Sequence, residues 1–231
     1  MKKHADTQRG SALVYILIAI ALLAALTVTF MEPSSQQATS QNTFETVSEL
    51  NTQANFIRSG IQECVLSYPG GDSGRLGAVN IPYPFNPTSS YLTDADTDGD
   101  FVRNIRCPGN PGDSADHTDI FSGATGKFMP PPPGLFGEWM YYNDMDGVFF
   151  YVATDKTDAF LQTAMQKLDD QFAECEADVI DASGGAVSLT STVTTAECPD
   201  ASTCFRVWIL ARPSSEDAYN GDTDGDEAAC P

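Results

Sequence analysis

The chain has 231 residues, and 32 acidic side chains against 12 basic ones give it a formal net charge of −20. A surface of this sign repels polyanions, so nucleic acid and anionic lipid headgroups are excluded as principal partners. Roughly 170 residues follow the N-terminal helical region, which is enough for one compact domain with its own core.

The N-terminus combines a short basic leader with a long apolar run. Lys2, Lys3 and Arg9 precede Gly10, and residues 11–31 contain no charged side chain. A helix needs roughly 20 apolar residues to cross a bilayer, so this run predicts a transmembrane helix over residues 11–31. An ordinary secretory signal is cleaved after its apolar region, which makes this leader a different type. The basic leader places the N-terminus in the cytoplasm and the rest of the chain on the exported side.

The segment Arg-Gly-Ser-Ala-Leu-Val-Tyr-Ile-Leu, which starts at Arg9, resembles the N-terminus of the type IV pilin family. That family includes the pseudopilins of type II secretion, and the resemblance is confined to the N-terminal helical region. It implies that prepilin peptidase cleaves between Gly10 and Ser11 and that Ser11 is then N-methylated. It further implies a helix that sits first in the inner membrane and later among other pilin subunits in a filament core.

Tyr15 departs from the family pattern, because this fifth residue of the mature chain is usually Glu. In the family that Glu is thought to pair with the N-terminal amine of a neighbouring subunit. A buried carboxylate without a partner is costly, so a subunit without it suits the filament tip, where no such pairing is needed. We therefore expect a minor or tip subunit. The alternative is a lineage whose major subunit also lacks the Glu, and the sequence does not separate a pilus from a secretion pseudopilus.

Residues 32–68 predict an amphipathic helix, with a kink at Pro33 and an end at the Pro-Gly-Gly run that starts at Pro69. Apolar side chains recur at alternating steps of three and four, which places them on one stripe, while Glu45, Gln53 and Arg58 lie mostly elsewhere. We expect the stripe to pack against a sheet. Its members are Val47, Leu50, Ala54, Ile57, Ile61, Cys64 and Tyr68.

The exported headgroup, residues 69–231, is predicted to be an α+β domain built on an antiparallel sheet. Its first part is rich in Gly, Pro and Asp, and four consecutive prolines at 130–133 favour a stiff polyproline connector. The remaining elements are a strand at 101–106, a hairpin at 138–153 with an Asp-Gly turn, a helix at 159–172 capped by Asp158, and strands at 187–194 and 204–210. The fold class is therefore a long transmembrane and amphipathic helix packed on this sheet, as the pilin resemblance also implies.

All six cysteines follow the apolar run, and an even number on the exported side predicts disulfides in an oxidising compartment. We expect Cys198 to pair with Cys204 across a turn. Cys64 with Cys107 would then tie the loop region to the helix and leave Cys175 with Cys230, although six cysteines allow 15 pairings. Zinc is a weaker alternative, because there is no CxxC pair and His117, expected at the surface, is the only histidine outside the leader.

Two acidic segments resemble the first half of an EF-hand loop, D-x-[DN]-x-[DN]-G. Neither completes it, because the twelfth position holds Ile105 in the first and Pro231 in the second. Alternating carboxylates in a tight turn supply the hard oxygen ligands that Ca²⁺ prefers, so we expect calcium sites of a non-EF-hand kind. Solvated acidic turns are the alternative. The predicted ligands are Asp94, Asp96, Asp98 and Asp100 in the first loop and Asn220, Asp222, Asp224 and Asp226 in the second.

The sequence contains no recognisable catalytic constellation, and we expect no enzyme activity. The run from Gly123 to Lys127 slightly resembles a phosphate loop, but Phe128 occupies the place of the Ser or Thr that would bind Mg²⁺. The predicted function is a structural subunit, a minor type IV pilin or pseudopilin at or near the tip of a filament. The alternative is a membrane-anchored, calcium-binding adhesin or receptor domain that never enters a filament.

Overall fold

The structure is a computed structural model, and it describes residues 9–31, 33–69, 71, 83–88, 100–109, 116–144, 147–173, 176–190 and 196–211. The chain divides into two compact units, residues 1–44 and 45–231. The first unit contains helix α1, Arg9–Met31, and helix α2, Pro33–Ser67, reaches from the first unit into the second. The predicted kink residue, Pro33, is thus the first residue of α2, where a missing backbone N–H costs nothing.

Helix α1 has no charged side chain after Arg9, and every side chain described in it, residues 13–27, is exposed. Considering only the residues that the structure describes, no helix is long and apolar enough to cross a membrane. The transmembrane helix expected over residues 11–31 therefore stays a prediction.

The second unit is an α+β domain, as expected, and the sheets described in it are antiparallel. Strands β3, β4, β8 and β5 form the main sheet in that order, and β1 with β2 and β6 with β7 form two short pairs. The elements after α2 are a 3-10 helix at Val102–Asn104, β1 Arg106–Cys107, β2 Thr118–Asp119, β3 Met140–Asp144, β4 Gly147–Thr154, α3 Ala159–Asp169, β5 Ala177–Asp181, β6 Val187–Ser188, β7 Glu197–Cys198 and β8 Thr203–Ala211.

The main sheet separates two apolar clusters, because successive side chains of a strand point to opposite faces. On one face, Phe150 of β4 and Phe205 and Val207 of β8 pack with the stripe of α2. On the other, Phe149 and Trp208 pack with the segment that carries β6 and β7. The sheet is therefore buried on both faces, which explains why β4 is apolar throughout instead of alternating.

The stripe of α2 is confirmed from Val47 to Cys64, all of whose predicted members are buried. Tyr68 is wrong as a member, since α2 ends at Ser67 and the Tyr68 side chain is 42% exposed. Gln53, expected on the polar side, is 4% exposed and belongs to the buried face.

Two predicted strands are wrong in extent. The strand expected at 101–106 is a 3-10 turn followed by β1, because Val102 and Ile105 are both fully buried. Residues three apart lie on the same side of a 3-10 turn but on opposite faces of a strand. The strand expected at 187–194 is limited, among the described residues, to β6.

Smaller corrections concern turns and ends. Helix α3 ends at Asp169, earlier than expected, and Asp158 occupies its N-cap position without a capping hydrogen bond from its side chain. In the hairpin, Asp144 pairs with Gly147, so Gly147 begins β4 instead of closing the turn. Its φ is 151°, and a Cβ there would lie 2.6 Å from the carbonyl oxygen of Leu210, so only glycine fits.

Candidate functional site

The outer surface of α1 is the first candidate. The exposed fractions of Tyr15, Leu17 and Leu23 are 71%, 58% and 64%, and all the described side chains up to Thr27 are exposed. A helix that is apolar on all sides normally lies inside lipid or among other helices. Gly10 and Ser11, the predicted processing residues, are the second and third residues of this helix.

The C-terminal half of α2 is fastened to the domain by covalent and ionic contacts. Cys64 is bonded to Cys107, with their Cα atoms 5.7 Å apart. Glu63, which directly precedes Cys64, accepts a hydrogen bond of 2.7 Å from Lys127, and Arg58, earlier in the helix, lies 3.7 Å from a carboxylate oxygen of Glu176. The Cys64–Cys107 pair is one of those expected from the sequence.

Cys198 and Cys204 form the second disulfide, as expected, with Cα atoms 5.9 Å apart and both residues fully buried. The turn between them includes Ala201 at φ 57°, a left-handed conformation that is unfavourable for a residue with a Cβ. Cys175 and Cys230, the third expected pair, lie outside the described residues.

Asp100 ends the first acidic loop, and it is the one predicted calcium ligand within the described part of the chain. Its Oδ1 atom accepts a hydrogen bond from the hydroxyl of Thr88, so the two ends of the segment between them are joined. The backbone N–H of Thr88 donates to Oδ1 of the buried Asn86 at 3.0 Å. Partial burial raises the pKa of the Asp100 carboxyl above its ordinary value. These hard oxygen donors are of the kind that Ca²⁺ prefers, and a cation would offset the cost of burying the carboxylate.

The other predicted ligands, Asp94, Asp96, Asp98, Asn220, Asp222, Asp224 and Asp226, lie outside the described residues. Within the described ranges, no three His, Cys, Asp or Glu side chains are grouped so as to hold a metal ion. Calcium binding therefore stays a prediction.

A buried ion pair on the second face of the sheet was not foreseen from the sequence. Arg206 Nε donates to Asp178 Oδ1 at 2.8 Å, its Nη2 donates to Asp178 Oδ2, and the two side chains are 6% and 4% exposed. Arg206 Nη1 also donates to the carbonyl of Leu189 at 2.7 Å, and the guanidinium lies over the rings of Phe149 and Trp208. A single charged residue inside the apolar run of β8 was the available signal. Arg206 donates all three of these hydrogen bonds to groups inside the protein, so the arrangement is structural.

His117 is buried and not at the surface, with its ring centroid 6.0 Å from that of Phe85. The cause is the pairing of β1 with β2, since His117 directly precedes β2 and Phe85 is bridged to Arg106 of β1. The turn at Gly123–Lys127 is closed by a backbone hydrogen bond of 2.8 Å, in which the N–H of Gly123 donates to the carbonyl of Lys127. This N–H is therefore used within a tight turn and does not point towards a phosphate.

No protein-family model, curated protein or solved structure matches this chain.

Proposed function

We propose that this chain is a minor type IV pilin or pseudopilin, a structural subunit assembled at or near the tip of a pilus or secretion pseudopilus. The observation that carries the proposal is the order of features at the N-terminus. A basic leader ends in Gly10, and a helix without charge and without a polar face follows at once.

In this proposal the apolar helix has two successive environments. It first anchors the chain in the inner membrane, with the N-terminus in the cytoplasm and the domain after it in the periplasm. After cleavage between Gly10 and Ser11, the side chains of Leu13, Val14 and Ile16–Leu26 pack among the helices of other subunits. Tyr15, lacking the carboxylate usual at this position, assigns the subunit to the tip.

The disulfides and the packing of the second unit support an exported role. Disulfides persist in oxidising compartments, and both described bonds fall in this unit. Helix α2 contributes its apolar stripe to the same core as the main sheet, so the domain is held to the helix that would carry it.

The first experiment is an intact-mass measurement and N-terminal sequencing of the protein purified from its native membrane. We expect a chain that begins at Ser11 and is heavier by one methyl group, and Gly10→Ala is expected to block processing. A mature chain that retains residues 1–10 would refute the filament proposal and favour the anchored adhesin or receptor.

Calcium is proposed as an ordering ligand of the acidic loops and is tested separately. Calcium is expected to raise the Tm of the full chain in detergent above its value with chelator. At a calcium concentration of a hundred times Kd, the gain in the free energy of unfolding is about 2.7 kcal/mol. Asp100→Asn keeps an oxygen for Thr88 but removes a charge, so this shift should shrink. Asp200→Asn, an exposed change elsewhere, is the matched control. An unchanged wild-type Tm would mean that the loops are solvated turns.

A further inference from the structure

The apolar stripe of α2 repeats every seven residues. Displacing the helix by seven positions places four members on other members of the stripe: Val47 on Ala54, Leu50 on Ile57, Ala54 on Ile61 and Ile57 on Cys64. Burial of apolar surface is non-directional, so the stripe alone would pack almost as well in a register displaced by about 10.5 Å. The observed register therefore needs another determinant.

Gln53 is a polar residue on this buried face, and both the oxygen and the nitrogen of its side-chain amide form hydrogen bonds. Its Oε1 accepts a hydrogen bond of 2.7 Å from Trp139 Nε1, and its Nε2 donates to the carbonyl oxygen of Pro131 at 2.9 Å. Gln53 and Trp139 are 4% and 2% exposed, so water cannot readily replace either hydrogen-bond partner. Each buried polar group left without its partner costs about 1–3 kcal/mol.

Gly60 lies seven residues after Gln53, at the equivalent position of the repeat. A Cβ at Gly60 would lie 2.9 Å from two ring carbons of Phe121, so the ring occupies the space that a side chain would need. Phe121 is itself held against Phe56, with ring centroids 5.5 Å apart. The two equivalent positions thus have opposite requirements, an amide at one and no side chain at the other.

We propose that Gln53 and Gly60 set the register of α2 on the domain. A displacement in one direction puts Gly60 where Trp139 and Pro131 require an amide. A displacement in the other puts Gln53 under the Phe121 ring. A single buried polar residue fixes register in the same way in coiled coils, where the apolar repeat is also degenerate.

The register also decides the first disulfide. Cys64 lies 5.7 Å from Cys107 by Cα distance, and a displacement of about 10.5 Å would exceed the roughly 7 Å that a disulfide can span. Gln53 and Gly60 therefore act as positioning residues for the Cys64–Cys107 bond, which then makes the register permanent. If the chain is a filament subunit, a point that rests on the proposed function, Gln53 and Gly60 determine which turns of α2 pack against the domain.

The test is oxidative refolding of the reduced full chain in detergent, followed by peptide mapping of the disulfides. Gln53→Leu with Gly60→Ala is expected to lower the yield of the Cys64–Cys107 bond several-fold, whereas Cys198–Cys204 should form as in the wild type and report correct folding elsewhere. Gln62→Leu makes the same chemical change at an exposed position of α2 and should have no effect. Leu50→Ala destabilises the core but leaves both determinants, so its yield should stay high.

Wild-type yield in the double variant overturns the proposal. An equal loss in Leu50→Ala does so too, because the loss would then reflect instability and not register. If the double variant also loses the Cys198–Cys204 bond, it has failed to fold and Gln53→Leu alone decides: a lower Cys64–Cys107 yield supports the proposal and an unchanged yield overturns it.

Discussion

Replacing Asp178 by Asn tests whether the buried ion pair is as desolvated as its geometry indicates. The change keeps the size of the side chain but leaves the Arg206 guanidinium charged and almost inaccessible to water, facing an amide and the Leu189 carbonyl with no carboxylate. Removing one partner of a buried pair costs about 3–5 kcal/mol. For a chain of this length each kcal/mol lowers Tm by about 2–4 °C, so we expect a decrease of about 6–20 °C.

The assay is thermal and urea unfolding of the full chain in detergent, both monitored by tryptophan fluorescence. The chain has two tryptophans, and Trp208 lies 4.7 Å below the Arg206 guanidinium, so the signal reports on this cluster. Asp119→Asn is the matched control, because the Arg106–Asp119 pair is 24% and 41% exposed and should contribute at most about 1 kcal/mol. A loss below about 1 kcal/mol for Asp178→Asn, with an unchanged denaturant dependence, would refute the reasoning.

Three further predictions concern the same domain. Burial, with the charges of nearby carboxylates, raises the pKa of Tyr151 from 10.0 to about 12, so the neutral phenol favours the folded state. Stability should therefore fall as the pH rises from 10 towards 12, and absorbance at 295 nm should show this tyrosine ionising later than the exposed ones. Serines in place of the Cys64–Cys107 pair, which closes a loop of 43 residues, should cost about 4 kcal/mol, whereas the six-residue Cys198–Cys204 loop is worth about 2 in denaturant titrations. Ala201→Gly should stabilise the protein by about 1 kcal/mol, because φ 57° suits glycine; a lower Tm would contradict this.

The sequence predicted local elements well where one physical cause dominates. The stripe from Val47 to Cys64 follows from the helical period, and helix α3 begins at Ala159 as its pattern indicated. Both described disulfides were expected. Cys198 and Cys204 are separated by a turn of five residues, and the Cys64–Cys107 pair was assigned after that first pair. Failures occurred where a distant segment decided the outcome, as at Val102 and Ile105, whose common burial replaced a strand by a 3-10 turn.

The candidate site divides in the same way. The basic residues before Gly10, the charge-free run after it and the two acidic segments are properties of contiguous residues, so the sequence shows them without a fold. Gln53 is hydrogen-bonded to Trp139, 86 positions away, and Arg206 to Asp178, 28 positions away. Without knowledge of these partners, the sequence predicts that polar side chains such as Gln53 and Arg206 lie at the surface.

The sequence by itself determined the α+β class, the acidic net charge and the position of the helical stripe, because each depends on composition or on a short period. The tertiary structure alone decided the strand order β3-β4-β8-β5, the burial of both sheet faces and the register of α2. The physical reason is that apolar burial is non-directional and leaves several packings nearly equal. Hydrogen bonds and close contacts between distant residues are directional, and they select one of these packings.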